Sequence, residues 1–344
     1  VSLPEPRLKQ ASPGVLNPRM SASTLMKNRA GASGLSKSPL VSIGVPVYNG
    51  EPTIARALDA LVQQTYRNME IIISDNASQD NTGDICRDFA ARDPRITYTR
   101  NDSNIGIIEN FRKVCSAGKG DYFFWAAADD EWEPSFVERI VAALERTPEA
   151  GVGLCAVRRQ YSDGELLAVL RFPSKKNGKG FSGIGRVLDL MHPSTARRKK
   201  KYNVFVCGIF RGDLIRRAVQ EYSFVPGERP LVASVMADHG FVFVDEILMR
   251  KTVHRKHFED RYAGDRYKKN KQALGGWGHY AHSFRFLFSS SIVSFQSKCI
   301  VLPLALLNIL LYLAYDRIKR SILDRLPEGV ADALRGFKAR NMRS

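Results

Sequence analysis

Residues 41–255 predict an α/β domain with a Rossmann-like sheet, mixed but mainly parallel, flanked by helices. Three observations carry this expectation. Short apolar runs alternate with amphipathic stretches from Val41 onward, and each run ends in small polar turn residues. The chain of 344 residues, 44% apolar and 25% charged, is also large enough and apolar enough for a sizeable globular core.

VSIGVPVY, from Val41, reads as the first strand, and TIARALDALVQQTY follows as a helix with Ile54, Leu58, Leu61 and Val62 on one face. MEIIISD is the second strand and NTGDICRDFAARD the second helix; RITYTR, NIGIIENFRKVCSAG and DYFFWAAADD repeat the alternation. The helix PSFVERIVAALERT leads into GVGLCAVRRQYSDGELLAV, a hairpin turning at Asp163 and Gly164. The strand NVFVCGIFR, a helix from about Arg229 to Asp238 and the strand FVFVDEILMR complete the domain.

Two flanking regions differ from it. Residues 1–40 mix Pro, Ser, Gly and Lys without an apolar period and read as a disordered leader. Residues 256–344 read as a basic, partly apolar helical region. Formal charge is +5 over residues 1–40, −7 over 41–150 and +19 over 151–344. The basic part also contains CIVLPLALLNILLYLAY (299–315), the longest uncharged apolar run, so its charge points to an anionic membrane surface and not to nucleic acid. The five cysteines, Cys86, Cys115, Cys155, Cys207 and Cys299, are odd in number and widely spaced, which fits a reducing compartment better than a disulfide framework.

In an open parallel sheet, ligands bind outside the carboxyl ends of the strands. Here those ends read PVYNGE, SDNASQD, TRNDSNIG and AAADDEW, which gathers Asp75, Asp80, Asp129 and Asp130 on one rim. Carboxylates so assembled repel one another, and a divalent cation on a diphosphate is a natural counter-charge. Each acid also has a plain structural role open to it. Asp75 and Asp80 suit helix N-caps, and Asp129, Asp130 and Glu131 suit the first turn of the helix near Pro134. Tyr48, beside Asn49 and Gly50, is either a strand-end aromatic or a flat surface for a base.

Taken together and in this order, PVYNGEPTIARALDALVQQTY, EIIISDNASQD, NIG and DYFFWAAADDEWEP resemble the inverting family 2 glycosyltransferases, which have the A-type nucleotide-sugar-binding fold; the resemblance covers roughly residues 40–255. It implies that Pro46, Tyr48 and Glu51 form the first nucleotide-contacting loop, that Asp75 bonds the base and that Arg100 assists at base or phosphates. Asp129 matches the last acid of the family's DxD motif and is the implied ligand of Mn²⁺ or Mg²⁺, with Asp130 beside it in the donor site. Ala127 stands where the first acid of that motif usually lies.

Inverting transfer requires one general base on the acceptor hydroxyl. The resemblance places it at Glu228, with Arg229 in place of the acid that often follows; Asp238 and Asp245 are further candidates. Arg250 and His254, within MRKTVHRKHFEDRY, are the implied partners of the leaving diphosphate, although such a charge run also suits a solvated face.

The implied partners are a nucleotide-sugar donor and a glycan or polyprenyl-diphosphate-linked glycan acceptor, with no nucleic acid. The implied activity is transfer of one hexosyl or deoxyhexosyl unit in cell-envelope or exopolysaccharide synthesis. Residues 299–315, with Lys298 before them and Arg317, Lys319 and Arg320 after, suggest a cytoplasmic protein, peripheral or monotopic at the inner face of the plasma membrane. A catalytically inactive sugar-nucleotide- or glycan-binding relative is the other reading, raised by Ala127 and Arg229.

Overall fold

The computed structural model describes residues 38–171, 207–222, 229–254 and 285–300, together with isolated helical positions between 303 and 317. The expectations for residues 1–37, for Glu228 and for most of the apolar run 299–315 lie outside the described residues.

The chain alternates β1 (Val41–Val47), α1 (Ile54–Val62), β2 (Met69–Asp75), α2 (Thr82–Arg92), β3 (Ile96–Arg100), α3 (Ile107–Ala117) and β4 (Tyr122–Trp125). There follow β5 (Glu131–Trp132), α4 (Phe136–Glu145), β6 (Ala150–Tyr161), β7 (Leu166–Leu170) and β8 (Ile209–Arg211). The last are α5 (Gly212–Glu221), α6 (Arg229–Asp238) and β9 (Gly240–Val253). Among the described residues nine strands form one sheet in the order β3-β2-β1-β4-β8-β6-β9-β5, with β7 on β6. β1 runs parallel to β2 and β4, and β2 to β3. β8 opposes both β4 and β6, so β6 regains the direction of β4, and β9 lies parallel to β6. The carboxyl ends of β1, β2, β3, β4, β6 and β9 therefore share one edge, as the mixed, mainly parallel expectation requires.

β1 is buried throughout, the pattern of a strand covered on both faces. Pro46 is accommodated because pairing with β4 stops at Gly44↔Trp125, so beyond that point β1 lacks a neighbour on that side. Gly44 is required, since a Cβ there would lie 2.7 Å from both Phe123 Cζ and Val114 Cγ2. On α1 the buried residues Ile54, Ala57, Leu58 and Leu61 follow the i, i+3, i+4, i+7 spacing. Burying a side chain such as Leu58 contributes ~1.5–3 kcal/mol. Phe124 meets Trp132 and Phe136 edge-on at 6.0 and 5.4 Å, which anchors β5 and α4 to the centre of the sheet.

The hairpin forms where expected: Glu165 N donates to Asp163 Oδ1 (3.0 Å), and Gly164 adopts φ +88°, which glycine tolerates. The helix α5 and the short strand β5 had no counterpart in the sequence reading. GDLIRRAVQE has only the apolar positions Leu214, Ile215, Ala218 and Val219 to mark its buried face, directly after a strand. Residues 285–300 pack on α5 and α6. Phe286 and Leu287 are buried, and the Phe286 ring meets Tyr222 edge-on at 5.1 Å. Glu221 accepts hydrogen bonds from Ser290 Oγ (2.7 Å) and Ser291 N (2.9 Å). Asp238 accepts from Ser294 N (2.5 Å), Ser294 Oγ (2.6 Å) and Ser297 Oγ (2.5 Å), at the start of a helical stretch over 295–300. No helix among the described residues is long and apolar enough to cross a membrane.

Candidate functional site

Two loops at the carboxyl edge are stapled together. Asn49 N donates to Ser78 Oγ (2.9 Å), Gln79 N to Asn49 Oδ1 (2.9 Å) and Gly50 N to Thr82 Oγ1 (2.8 Å), tying the loop after β1 to the loop after β2. Pro46 is buried in β1 opposite Ser74, and Tyr48 is half-buried at its end. Glu51 is exposed and accepts from Asn81 N (3.2 Å) and Asn81 Nδ2 (2.6 Å), so its carboxylate caps the start of α2. Asn49 and Ala77 both carry left-handed φ, +49° and +63°; the tight turns at the strand ends demand it.

Asp75 is completely buried. Its Oδ1 accepts Ser78 N (2.8 Å), and its Oδ2 accepts Tyr98 OH (2.9 Å) and Arg100 Nη1 (2.8 Å). Arg100 also donates Nη2 to Ser78 O (2.7 Å), which closes the loop on itself. Burial, together with the bond to Asp75, raises the Tyr98 phenol above its ordinary range. Tyr98 is a residue the sequence reading missed, although it lies two positions before Arg100 and so on the same strand face. Next to it, Asn76 Oδ1 accepts Asn101 Nδ2 (2.9 Å) and Ile105 N (3.0 Å), and Asn76 Nδ2 donates to Asn104 Oδ1 (2.8 Å). These bonds fix the NIG loop against β2.

The second half of the rim is built by the turn after β4 and the end of β9. Asp129 Oδ2 lies 2.9 Å from His254 Nε2. Burial works to raise the Asp129 carboxyl, but the bond from His254 and the charges of Lys251 and His254 outweigh it and hold it below the ordinary carboxylate range. Asp130 is fully buried; its Oδ2 accepts Lys251 Nζ (2.8 Å) and its Oδ1 accepts Thr252 N (3.0 Å). Burial pushes Asp130 up to about 6. Burial also disfavours the Lys251 ammonium, but Asp130 and Asp129 more than offset this and keep it charged. Lys251 is the second residue the sequence reading missed.

The geometry thus joins Asp75 to Arg100 and Asp129 to His254. Arg250 projects elsewhere, pairing with Glu133 at 3.2 Å and Glu131 at 3.7 Å, while Arg56 also holds Glu131 at 2.8 Å. Asp238 sits where α6 meets the start of β9, at the opposite edge of the sheet, and serves the serines at 294 and 297. Asp245 pairs with Arg171. Because α6 runs down to that opposite edge, its first residue, Arg229, lies toward the carboxyl edge.

Two ligands set at right angles around a Mn²⁺ or Mg²⁺ ion at ~2.1 Å stand about 3 Å apart. The 2.9 Å between Asp129 Oδ2 and His254 Nε2, here a hydrogen bond, matches that edge, and the carboxylate is a donor of the kind such ions take. Among the described residues no group of three or more His, Cys, Asp or Glu is placed to hold a metal. An ion held by these two donors alone would leave its remaining positions to substrate phosphates and water.

Related chains match about a third of this one. An uncharacterized glycosyltransferase of Haemophilus influenzae is 35% identical over 112 residues, 33% of this chain and 35% of that protein. The uncharacterized glycosyltransferase EpsJ of Bacillus subtilis is 34% identical over 125 residues, 36% of each chain. The glycosyltransferase GlyG of Streptococcus pneumoniae is 31% identical over 108 residues, 31% of this chain and 36% of that protein. The chain thus spans about a third of the length of these relatives. In three dimensions, S. aureus TarS 1–349, solved in complex with UDP-GlcNAc, superposes with a TM-score of 0.51 over 72% of this chain and 70% of that one, at 14% identity. That likeness shows the A-type fold. The profile of glycosyl transferase family 2 matches residues 42–222, from the first strand through the helix that follows β8. With more than half of its length inside that profile, and with the strand-end acids where the fold binds ligands, the chain belongs to glycosyl transferase family 2.

Proposed function

We propose that the protein transfers one hexosyl or deoxyhexosyl unit from a nucleotide sugar to a hydroxyl of a glycan or polyprenyl-diphosphate-linked glycan acceptor, with inversion. One observation carries the reading: Asp75 with Arg100, and Asp129 with His254, stand at the same edge of one sheet. TarS, of the same fold, was solved with UDP-GlcNAc, which supports a nucleotide-sugar donor here. The loop of Pro46, Tyr48 and Glu51 takes the nucleoside together with Arg100, which the buried and fully bonded Asp75 holds in place; Asp129 and His254 are the residues that would hold Mn²⁺ or Mg²⁺ at the diphosphate. Such an ion, when bound, offsets the charge that develops on the departing diphosphate. Arg250, engaged by two glutamates, belongs to the support of this site and reaches a phosphate only by leaving them.

In the transfer, the acceptor oxygen forms a bond to the anomeric carbon as the bond from that carbon to the diphosphate breaks. The acceptor proton passes to a carboxylate. Glu228, directly before the α6 end that lies toward the carboxyl edge, is the proposed base. Glu228→Gln is expected to abolish transfer while nucleotide binding, read by thermal shift, is retained; near-normal turnover would remove Glu228 from this role. A panel of nucleotide sugars with Mn²⁺ tests the activity itself. Release of nucleoside diphosphate supports a transferase, and binding without release supports the inactive relative that Ala127 raises.

We further propose that the basic, apolar C-terminal region places the enzyme at the inner face of the plasma membrane, where a lipid-linked acceptor would be found. Exposed Phe295, Ile300, Leu304, Leu307 and Leu310 support this placement. Fractionation of cells with and without an alkaline carbonate wash tests it, and recovery wholly in the unwashed soluble fraction would count against it.

A further inference from the structure

We infer that Asp130 and Lys251 are positioning residues: a buried clasp between the turn after β4 and the end of β9 that sets His254 against Asp129, so that the two form a preassembled grip for a divalent cation. The inference rests on the metal reading above and adds to it the device that builds the grip.

Asp130 is 1% exposed, and each of its oxygens already holds a donor from β9, Lys251 Nζ at 2.8 Å and Thr252 N at 3.0 Å. A carboxylate so enclosed has no face left for a nucleotide sugar, although its place in the sequence beside Asp129 suggests one. Its two bonds instead fix consecutive residues of β9, the last before Val253 and His254. Below them the two segments are already zipped, with Glu131 opposite Arg250, Trp132 opposite Met249 and Glu133 N donating to Leu248 O at 2.9 Å. Asp130 extends that seam by two residues beyond its last strand pair and ends it at the level of Asp129. His254 Nε2 then falls 2.9 Å from Asp129 Oδ2.

The choice of lysine follows from charge. A turn carrying Asp129 and Asp130 in succession would repel itself when buried, and the Lys251 ammonium neutralises one of them, leaving the other for a ligand. Arg250, one residue earlier and therefore on the opposite strand face, pairs with Glu131 and Glu133 and cannot substitute.

The test titrates the full-length protein with Mn²⁺ alone, followed by loss of the free-ion electron paramagnetic resonance signal, with thermal unfolding in parallel. Asp130→Asn and Lys251→Met are each expected to weaken Mn²⁺ binding by roughly 10-fold or more, as loss of an orienting partner does at metal sites. Either single change leaves a buried charge unpaired and lowers stability, so the double variant Asp130→Asn/Lys251→Met, which removes both charges, is the control. It is expected to recover most of the thermal stability and still bind Mn²⁺ as weakly as Asp130→Asn. Wild-type affinity in Asp130→Asn or in the double variant would overturn the clasp while leaving the metal reading intact. Absence of Mn²⁺ binding by the wild-type protein would overturn the metal reading, and the clasp with it.

Discussion

The two halves of the carboxyl edge are built on different principles. Around Asp75 every polar group finds its partner within the protein: both carboxylate oxygens are bonded, Arg100 is shared between Asp75 and Ser78, and the Asn76, Asn101 and Asn110 amides interlock with Ser74. Around Asp129 the carboxylate is a quarter exposed, with the His254 imidazole against it. The first half is closed on itself, whereas the second keeps a partly exposed carboxylate beside an imidazole. Rigidity and reactivity have been assigned to neighbouring stretches of one sheet edge, so damage to the first should appear as instability and damage to the second as lost turnover.

The largest effect expected from this contrast is on catalysis. Asp129→Asn should lower kcat by ~10²–10³-fold, the scale for losing one electrostatic contact to developing charge, with little change in melting temperature. A steady-state assay beside a thermal melt reads both, and a drop in stability without a drop in kcat would reverse the assignment. Next comes Asp75→Asn, which removes a charged acceptor serving three donors and should cost ~2–3 kcal/mol of unfolding free energy in a urea titration. If it instead leaves stability unchanged and abolishes nucleotide binding, the first half is itself a ligand site.

Acid should expose the same difference more gently. Burial works against Asp80, but the hydrogen bonds from Thr82 and Glu51 hold its carboxyl below its ordinary value; the bond from Arg95 does the same for Asp93. Carboxyls lowered in the folded state contribute stability that is fully present above about pH 4, their unfolded value, and is lost as pH falls through their lower folded values. Urea midpoints should therefore decline below pH 4, and Asp93→Asn should flatten that decline. The smallest effect is at Ala77, whose φ of +63° strains an L-residue. Ala77→Gly relieves ~1–2 kcal/mol of strain but gives back up to ~1 kcal/mol of chain entropy, for a net gain of about 0.5 kcal/mol.

Much of the first half could be read from sequence, because it depends on local signals. Strand ends follow apolar runs, and Asp75 and Arg100 stand at the ends of β2 and β3, where register then pairs them. The pairing of Asp129 with His254 was harder to see. Asp129 was visible beside its strand, but its partner lies 125 positions away, in a run of cations that looks like any solvated surface. Nothing in RKTVH says that Lys251 turns inward and Arg250 outward; strand alternation gives that only once β9 is known to continue past Arg250. The role of Asp130 was misleading for the same reason, since proximity in sequence to a ligand-facing acid says nothing of which way a turn directs its neighbour. The helix α5 escaped notice because its polar residues outnumber its apolar ones and it starts directly after β8 without a loop.

The serines at 290, 291, 294 and 297 hand the load of the C-terminal tail to Glu221 and Asp238, the last residues of α5 and α6. Asp238 lies two residues before the strand whose far end carries His254. The helical stretch over 295–300 is thereby joined, through Asp238, to the strand whose other end sets His254 beside Asp129.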